Sequence, residues 1–163
     1  MVFNAENNTK DDCWVMILNE SNYGLYIDEL CRIEQASFKE AWSKDAYIKD
    51  ICDNEKAFYL ALVQGGSLIA YANYWLIDGV GNINNVAVDS RRRGLGFGTE
   101  LMRQLIYSCR KQGGKAMTLE VRESNSQAIA LYEKLGFESR GVRPGYYADN
   151  KEDAVIMWLN LED

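Results

Sequence analysis

Histidine is absent from this sequence of 163 residues. That excludes Ser-His-Asp and Cys-His nucleophilic catalysis and most zinc sites. Any general base must be a carboxylate, a tyrosine, a lysine, a thiolate or water. No apolar run reaches the length of a membrane span, and the N-terminus MVFNAENNTKDD is polar and acidic rather than signal-like. A soluble cytoplasmic protein with no membrane partner is expected. Positive charge is in deficit: 18 Lys and Arg against 24 Asp and Glu give a net charge of −6, which argues against direct nucleic-acid binding and favours a cationic substrate. The cysteines Cys13, Cys31, Cys52 and Cys109 are scattered, with no C-x-x-C pair, and read as reduced, packed thiols. No metal is expected.

What is present suffices for one domain with a substantial core. Hydrophobic residues make up 47%, which excludes a disordered chain. Residues 1–12 read as a polar tail and 13–163 as a single domain. Strands are expected at 14–19, 57–63, 67–77, 83–88, 116–121, 137–142 and 153–161. Helices are expected at 24–37, 43–52 and 96–112, and from Ser124 to Gly136. Ser43 is the expected cap of the second helix, and Ser124 with Gln127 forms a plausible capping box. Ile27, Leu30, Ile33 and Ala46 are candidate core positions. The order β-α-α-β-β-β-α-β-α-β-β is that of an α/β or α+β fold, with helices around one mixed sheet.

The stretch Asn85–Gly98, NVAVDSRRRGLGFG, carries the most information. An apolar run, Val86 to Val88, ends at Asp89. Three arginines follow, then Gly94, Gly96 and Gly98. A helical repeat begins at once, with Phe97, Leu101 and Leu105 spaced four apart. Strand, glycine turn and helix start form a geometry that binds phosphate. Glycines admit close backbone approach, and the helix N-terminus presents N–H groups and a positive dipole. Arginines add charge-assisted bonds. A pyrophosphate cofactor is the first inference; the alternative is a glycine turn beside a solvated basic patch.

Glu120 lies near the end of the strand AMTLEV. Alternation sets Met117, Leu119 and Val121 on one face, with Thr118 and Glu120 on the other. A carboxylate in an apolar strand is costly unless paired or functional. Its structural alternatives are an ion pair, for example to Arg122, or an exposed strand end. Tyr132, two turns into the next helix, shares the apolar spacing of Ile129 and Leu135. Alone it reads as a packed core tyrosine.

Together these residues resemble a known family. RRRGLGFG resembles the R/Q-x-x-G-x-G/A signature of the GNAT superfamily of N-acetyltransferases, with Arg91 where glutamine is common. TLEVRESNSQAIALYEKLGF, residues 118–137, resembles its second cofactor-side block. Residues 85–98 and 118–137, GYY at 145–147, EDAVIM at 152–157 and, more weakly, AWS at 41–43 are similar to the RimI type, the ribosomal-protein N-terminal-alanine acetyltransferases. The resemblance implies a GNAT-like fold and acetyl-CoA as co-substrate. It implies that backbone groups of Val86, Ala87 and Val88 pair with the acetyl-pantetheine arm. Arg92, Arg93, Gly94, Leu95, Gly96 and Phe97 would wrap the pyrophosphate, with Gly98 and Thr99 opening the helix behind it. Asn125 would touch the cofactor. Glu120 matches the general base and Tyr132 the general acid. Tyr146 and Tyr147 are candidates to border the acceptor peptide, or only to pack the final hairpin.

The implied reaction is direct transfer of acetyl to the α-amine of a basic protein N-terminus, in this reading a small-subunit ribosomal protein beginning with alanine. Two alternatives stand beside it. One is an acetyltransferase of a small amine or a protein lysine. The other is a non-catalytic CoA-binding sensor, which would need the phosphate turn but not both Glu120 and Tyr132. A dinucleotide-binding turn fits poorly, because Thr99 replaces the third glycine and no acidic residue ends a strand about twenty positions later.

Overall fold

A computed structural model describes residues 13–162. The expected polar tail, residues 1–12, lies outside the described residues. The elements run β1 (Cys13–Leu18), α1 (Ile27–Ser37), α2 (Lys44–Asp53), β2 (Ala57–Gln64), β3 (Ser67–Ile77), β4 (Val80–Val88), α3 (Phe97–Lys111), β5 (Ala116–Arg122), α4 (Ser126–Lys134), β6 (Glu138–Arg143) and β7 (Ala154–Asn160). That is the expected order. The seven strands pair in one sheet of order β1-β2-β3-β4-β5-β7-β6.

Internal contacts divide the chain into two compact units. The first takes residues up to Trp75 together with Asn84–Leu105. The second takes Leu76–Ile83 and everything from Ile106 onward.

In the first unit, β1 pairs antiparallel with β2, and β2 with β3 through the Gly65-Gly66 turn. Leu30, Ile33, Tyr47, Tyr59, Val63, Leu68 and Tyr71 form its buried core. Of the expected core positions, Ile27, Leu30 and Ile33 are buried. Ala46 is not: it is exposed, and the next residue, Tyr47, enters the core instead. The α2 cap is Ser43, whose Oγ accepts from the Ala46 amide at 3.1 Å.

One carboxylate sits inside this core. Glu34 is 0% exposed. It accepts hydrogen bonds from the Tyr71 hydroxyl, from Asn85 Nδ2 at 3.1 and 3.2 Å, and from the Trp42 amide at 3.0 Å. A buried carboxylate without such donors would be strongly destabilising. The network ties α1 to β3, β4 and the segment before α2. Burial, reinforced by the Glu34 charge, drives the Tyr71 hydroxyl far above the ordinary tyrosine value.

In the second unit, Val80–Asn82 of β4 pair parallel with Ala116–Thr118 of β5. β5 and β6 each pair antiparallel with β7. β4 thus begins three residues before the expected strand. Gly81 and Asn82 look like turn residues in sequence, yet Gly81 is a packing position. A Cβ there would lie 2.7 Å from Cys109 Sγ, so only glycine lets α3 approach this closely. Met117, Leu119 and Val121 point into the core, as the alternation predicts, while Thr118 and Glu120 stay partly exposed. α4 begins at Ser126, and Asn125 is its cap: Oδ1 accepts from the Ala128 amide at 3.2 Å. The Ser124–Gln127 capping box therefore does not form. Asn125 outcompetes Ser124 because it stands one residue nearer the first helical turn.

Candidate functional site

The glycine-rich turn follows β4 in the first unit. Asp89 ends the strand, with its amide donating to the Ile69 carbonyl at 2.8 Å. Its buried carboxylate then receives a cluster of donors. The Arg91 amide donates at 3.0 Å, the Arg91 guanidinium forks onto both oxygens at 3.3 and 3.1 Å, and Arg32 adds a bond at 2.9 Å. The Arg91 hydrogen bonds, followed by those from Arg32, hold the Asp89 carboxyl well below the usual carboxylate range. Arg91 is therefore committed to shaping the turn. Arg93 is anchored too, with Nε on the Val88 carbonyl at 3.1 Å and Nη2 on Ser37 Oγ at 3.2 Å. Arg92 is exposed.

Gly94 and Gly96 have φ of +73° and +86°, the left-handed region that side chains disfavour. A Cβ at either would meet nothing within 4 Å. The glycines are thus required by backbone shape, and the space beside them is open. Leu95 between them is 52% exposed, whereas Phe97 is buried and anchors the start of α3. The Glu100 amide is bonded to the Gly96 carbonyl at 3.1 Å, so Gly98 and Thr99 stand in the first turn, where amides face out of the helix end. Left-handed glycines, a helix N-terminus and exposed arginine make a cradle suited to a pyrophosphate. Of the strand residues before it, Ala87 is buried and Val86 and Val88 are partly exposed.

The second unit holds the other candidates. Glu120 Oε1 accepts from Arg143 Nε at 3.2 Å. The ion-pair partner is therefore Arg143 of β6, not Arg122, which turns elsewhere. Its guanidinium bonds Asp149 at 3.0 Å and Glu152 at 3.2 Å, and lies 3.9 Å from the centre of the Tyr147 ring. Glu152 also accepts the Ser124 amide at 2.7 Å, and these bonds lower its carboxyl to about 2.

Tyr132 is 9% exposed, its ring 5.8 Å from that of Phe137. Burial, with a smaller contribution from Tyr147, pushes its hydroxyl up to about 12. Tyr147 is partly buried and also raised to about 12, by burial first, with Arg122 opposing and Tyr146, Glu120 and Glu152 adding. Tyr146 is 51% exposed and meets Tyr147 edge-on at 5.1 Å. Glu120, Tyr132, Tyr146 and Tyr147 thus share one electrostatic neighbourhood. Asn125, at the start of α4, spends its side-chain carbonyl on the cap. Arg143 was not expected at this site, and Arg122 enters it beside Tyr147 rather than as the Glu120 partner that the sequence offered. Strand alternation sets Arg122 on the same face as Glu120, which was the available signal.

Among the described residues, no three His, Cys, Asp or Glu side chains gather as metal ligands, and no helix is long and apolar enough to cross a membrane. Cys13, Cys31, Cys52 and Cys109 form no disulfide among the described residues.

Comparison with known proteins places this geometry in context. The profile of the acetyltransferase (GNAT) family matches residues 27–137, more than half the chain. A Bacillus subtilis protein, provisionally named a ribosomal protein bS18-alanine N-acetyltransferase, is 36% identical over 137 residues, covering 84% of this chain and 91% of its own length. The Escherichia coli K12 ribosomal protein bS18-alanine N-acetyltransferase is 36% identical over 131 residues, covering 79% and 87%. The crystal structure of the ribosomal-protein-S18-alanine N-acetyltransferase from Escherichia coli superposes with a TM-score of 0.82 at 31% identity, over 93% of this chain and 95% of that one. With the seven-stranded sheet and the glycine turn at the end of β4, these matches establish that the chain belongs to the GNAT family and is an N-acetyltransferase.

Proposed function

We propose that this acetyltransferase moves acetyl from acetyl-CoA to the α-amine of a protein N-terminus, with a ribosomal protein beginning with alanine as the acceptor. The reading is carried by one observation: a carboxylate, a buried tyrosine and an aromatic loop lie together on β5, α4 and the segment after β6. The names of the bacterial relatives support the acceptor. The acidic chain, net −6, suits a basic partner.

Acetyl-CoA supplies the acetyl group as a thioester. The turn at Arg92–Thr99 fits its pyrophosphate, and the edge of β4 at Val86–Val88 fits the pantetheine arm. Asn125 is the remaining cofactor contact in this reading. Glu120, directly or through a water, takes the proton from the acceptor amine. An α-amine has a pKa near 7.8 and a lysine one near 10.4, so at pH 7 deprotonation costs about 1 against about 5 kcal/mol. A carboxylate base suffices for the first far better than for the second.

Tyr132 is assigned to the departing thiolate in this reading. A CoA thiol resembles cysteine, with a pKa near 8.5. Against a hydroxyl at about 12, full proton transfer is uphill by about 3.5 units, or roughly 5 kcal/mol. In this reading Tyr132 therefore acts as a neutral hydrogen-bond donor to the developing thiolate, rather than as a full proton donor. Tyr146 and Tyr147 border the acceptor.

The test is to incubate the protein with acetyl-CoA and three forms of one basic peptide: alanine-initiated, N-blocked, and N-blocked with an added lysine. Acetylation of the first form alone is expected. Equal rates on the blocked forms would reject the α-amine.

A further inference from the structure

The segment between β6 and β7 carries Tyr146 and Tyr147, and a single side chain from β5 holds it. Arg122 is two residues beyond Glu120 on the same strand face. Its Nη2 donates to Asp149 Oδ1 at 3.0 Å, and its Nη1 to Glu152 Oε2 and Asn150 Oδ1, each at 3.2 Å. The guanidinium carbon lies over the Tyr147 ring, 3.9 Å from its centre. Glu152 is fixed in turn by the Ser124 amide at 2.7 Å. Arg122 is only 28% exposed, and its two carboxylate partners 16% and 15%. This is a partly buried, geometrically specific cluster of several bonds on one guanidinium, unlike an isolated surface pair.

The backbone of the segment closes on itself around this cluster. The Tyr147 amide donates to the Glu152 carbonyl at 3.2 Å, and the Lys151 amide to the Tyr147 carbonyl at 2.8 Å. The Gly145 amide donates to Asp153 Oδ1 at 2.8 Å. The 144–153 segment is thus a compact turn, fastened to the strand that bears Glu120.

We propose that Arg122 is a positioning residue for acceptor binding: it sets the Tyr146–Tyr147 wall at a fixed distance from Glu120, and so governs peptide affinity rather than the chemical step. The inference rests on the acceptor reading above. It needs an arginine, because one planar guanidinium stacks under Tyr147 while bonding two carboxylates. A lysine ammonium, as a point charge, does not do both. Arg122 touches neither the acceptor amine nor the thioester in this scheme. Its effect passes through Tyr147.

The test uses the full chain, acetyl-CoA and the alanine-initiated basic peptide. Arg122→Gln is expected to raise the peptide KM about tenfold, with kcat and the acetyl-CoA KM within about twofold. Arg122→Lys is expected to stay raised at least about threefold. Asp149→Asn, at a turn position, raises the same KM in the same direction and covers the case in which Arg122→Gln does not fold. Combined with Arg122→Gln it adds little, because both act on one contact set. A general loss of folding would instead move kcat, both KM values and the melting temperature together. An unchanged peptide KM in folded Arg122→Gln would overturn the proposal, and so would a fall confined to kcat. Where no Arg122→Gln protein folds, an unchanged peptide KM in Asp149→Asn would do the same. The position of the acetyl group, read by mass spectrometry, separates this from the acceptor reading. Acetylation on lysine would refute the α-amine assignment while the KM pattern still reports on Arg122.

Discussion

Arg143 of β6 holds Glu120 of β5 by a charge-assisted hydrogen bond, Nε to Oε1 at 3.2 Å, reaching past the intervening strand β7. The carboxylate assigned as base is thus already partnered by a cation. Arg143 is 55% exposed, and a partly exposed pair of this kind contributes only about 0–1 kcal/mol. An incoming ammonium carries the same charge as the group it displaces, so the exchange leaves Glu120 with a cationic partner.

If Glu120 takes the acceptor proton, Glu120→Gln should lower kcat by about 10² to 10⁴, the usual scale for a lost general base. Acetyl-CoA affinity, measured by calorimetry, should be retained. Turnover within threefold of the parent would remove Glu120 from the mechanism.

Tyr132→Phe keeps the ring contact with Phe137 and removes only the hydroxyl. The expected result is lower kcat with little change in acetyl-CoA affinity or melting temperature. Because burial raises the hydroxyl to about 12, it stays protonated between pH 7 and 10. The kcat profile of the parent should therefore show no tyrosine limb between pH 7 and 10. A falling limb in that range that vanishes in Tyr132→Phe would contradict the raised hydroxyl, and an unchanged kcat in Tyr132→Phe would contradict the donor role.

Arg93→Glu combined with Gly96→Glu should abolish acetyl-CoA binding by calorimetry while circular dichroism stays folded. The substitutions put two negative charges where an anion is expected. Gly96 has φ of +86° and open space around it, so the cost to folding is backbone strain of about 1–2 kcal/mol. Binding at the parent affinity would rule out the turn as the phosphate cradle.

Acid stability follows from Glu152 and Asp89, whose pKa values both lie below their unfolded values. A depressed carboxyl contributes stability that is complete above its unfolded pKa and is lost as pH falls through the folded one. For Glu152 that window runs from about 4.3 down to about 2, and for Asp89 it extends lower. The melting temperature should fall steadily from about pH 5 to pH 2, less steeply in Glu152→Gln. Identical slopes would show that the cluster does not persist in solution.

The order of elements was legible because apolar periodicity and glycine punctuation are local signals. The glycine turn between β4 and α3 was legible for the same reason. Tertiary partners were not. Ala46 and Tyr47 are equally plausible core residues by spacing, and only packing against Tyr59 and Tyr71 selects Tyr47. Gly81 fell outside the expected strand 83–88, and only its packing on Cys109 explains a glycine within β4. Arg143 lies 23 residues from Glu120 and two strands away, beyond any spacing rule. Of the three arginines beside the turn, Arg91 is claimed by the neighbouring Asp89, a pairing that sequence spacing did not reveal.

The central claim is acetyl transfer to an α-amine, and one internal competition tests it most directly. A single basic peptide with a free N-terminal alanine and one internal lysine is incubated with the protein and acetyl-CoA at pH 7, and the acetylated positions are quantified by fragment mass spectrometry. The account predicts acetyl on the alanine amine, at least tenfold faster than on the lysine, from their difference of roughly 2.6 pKa units. Acetylation of the lysine at an equal or greater rate would contradict it.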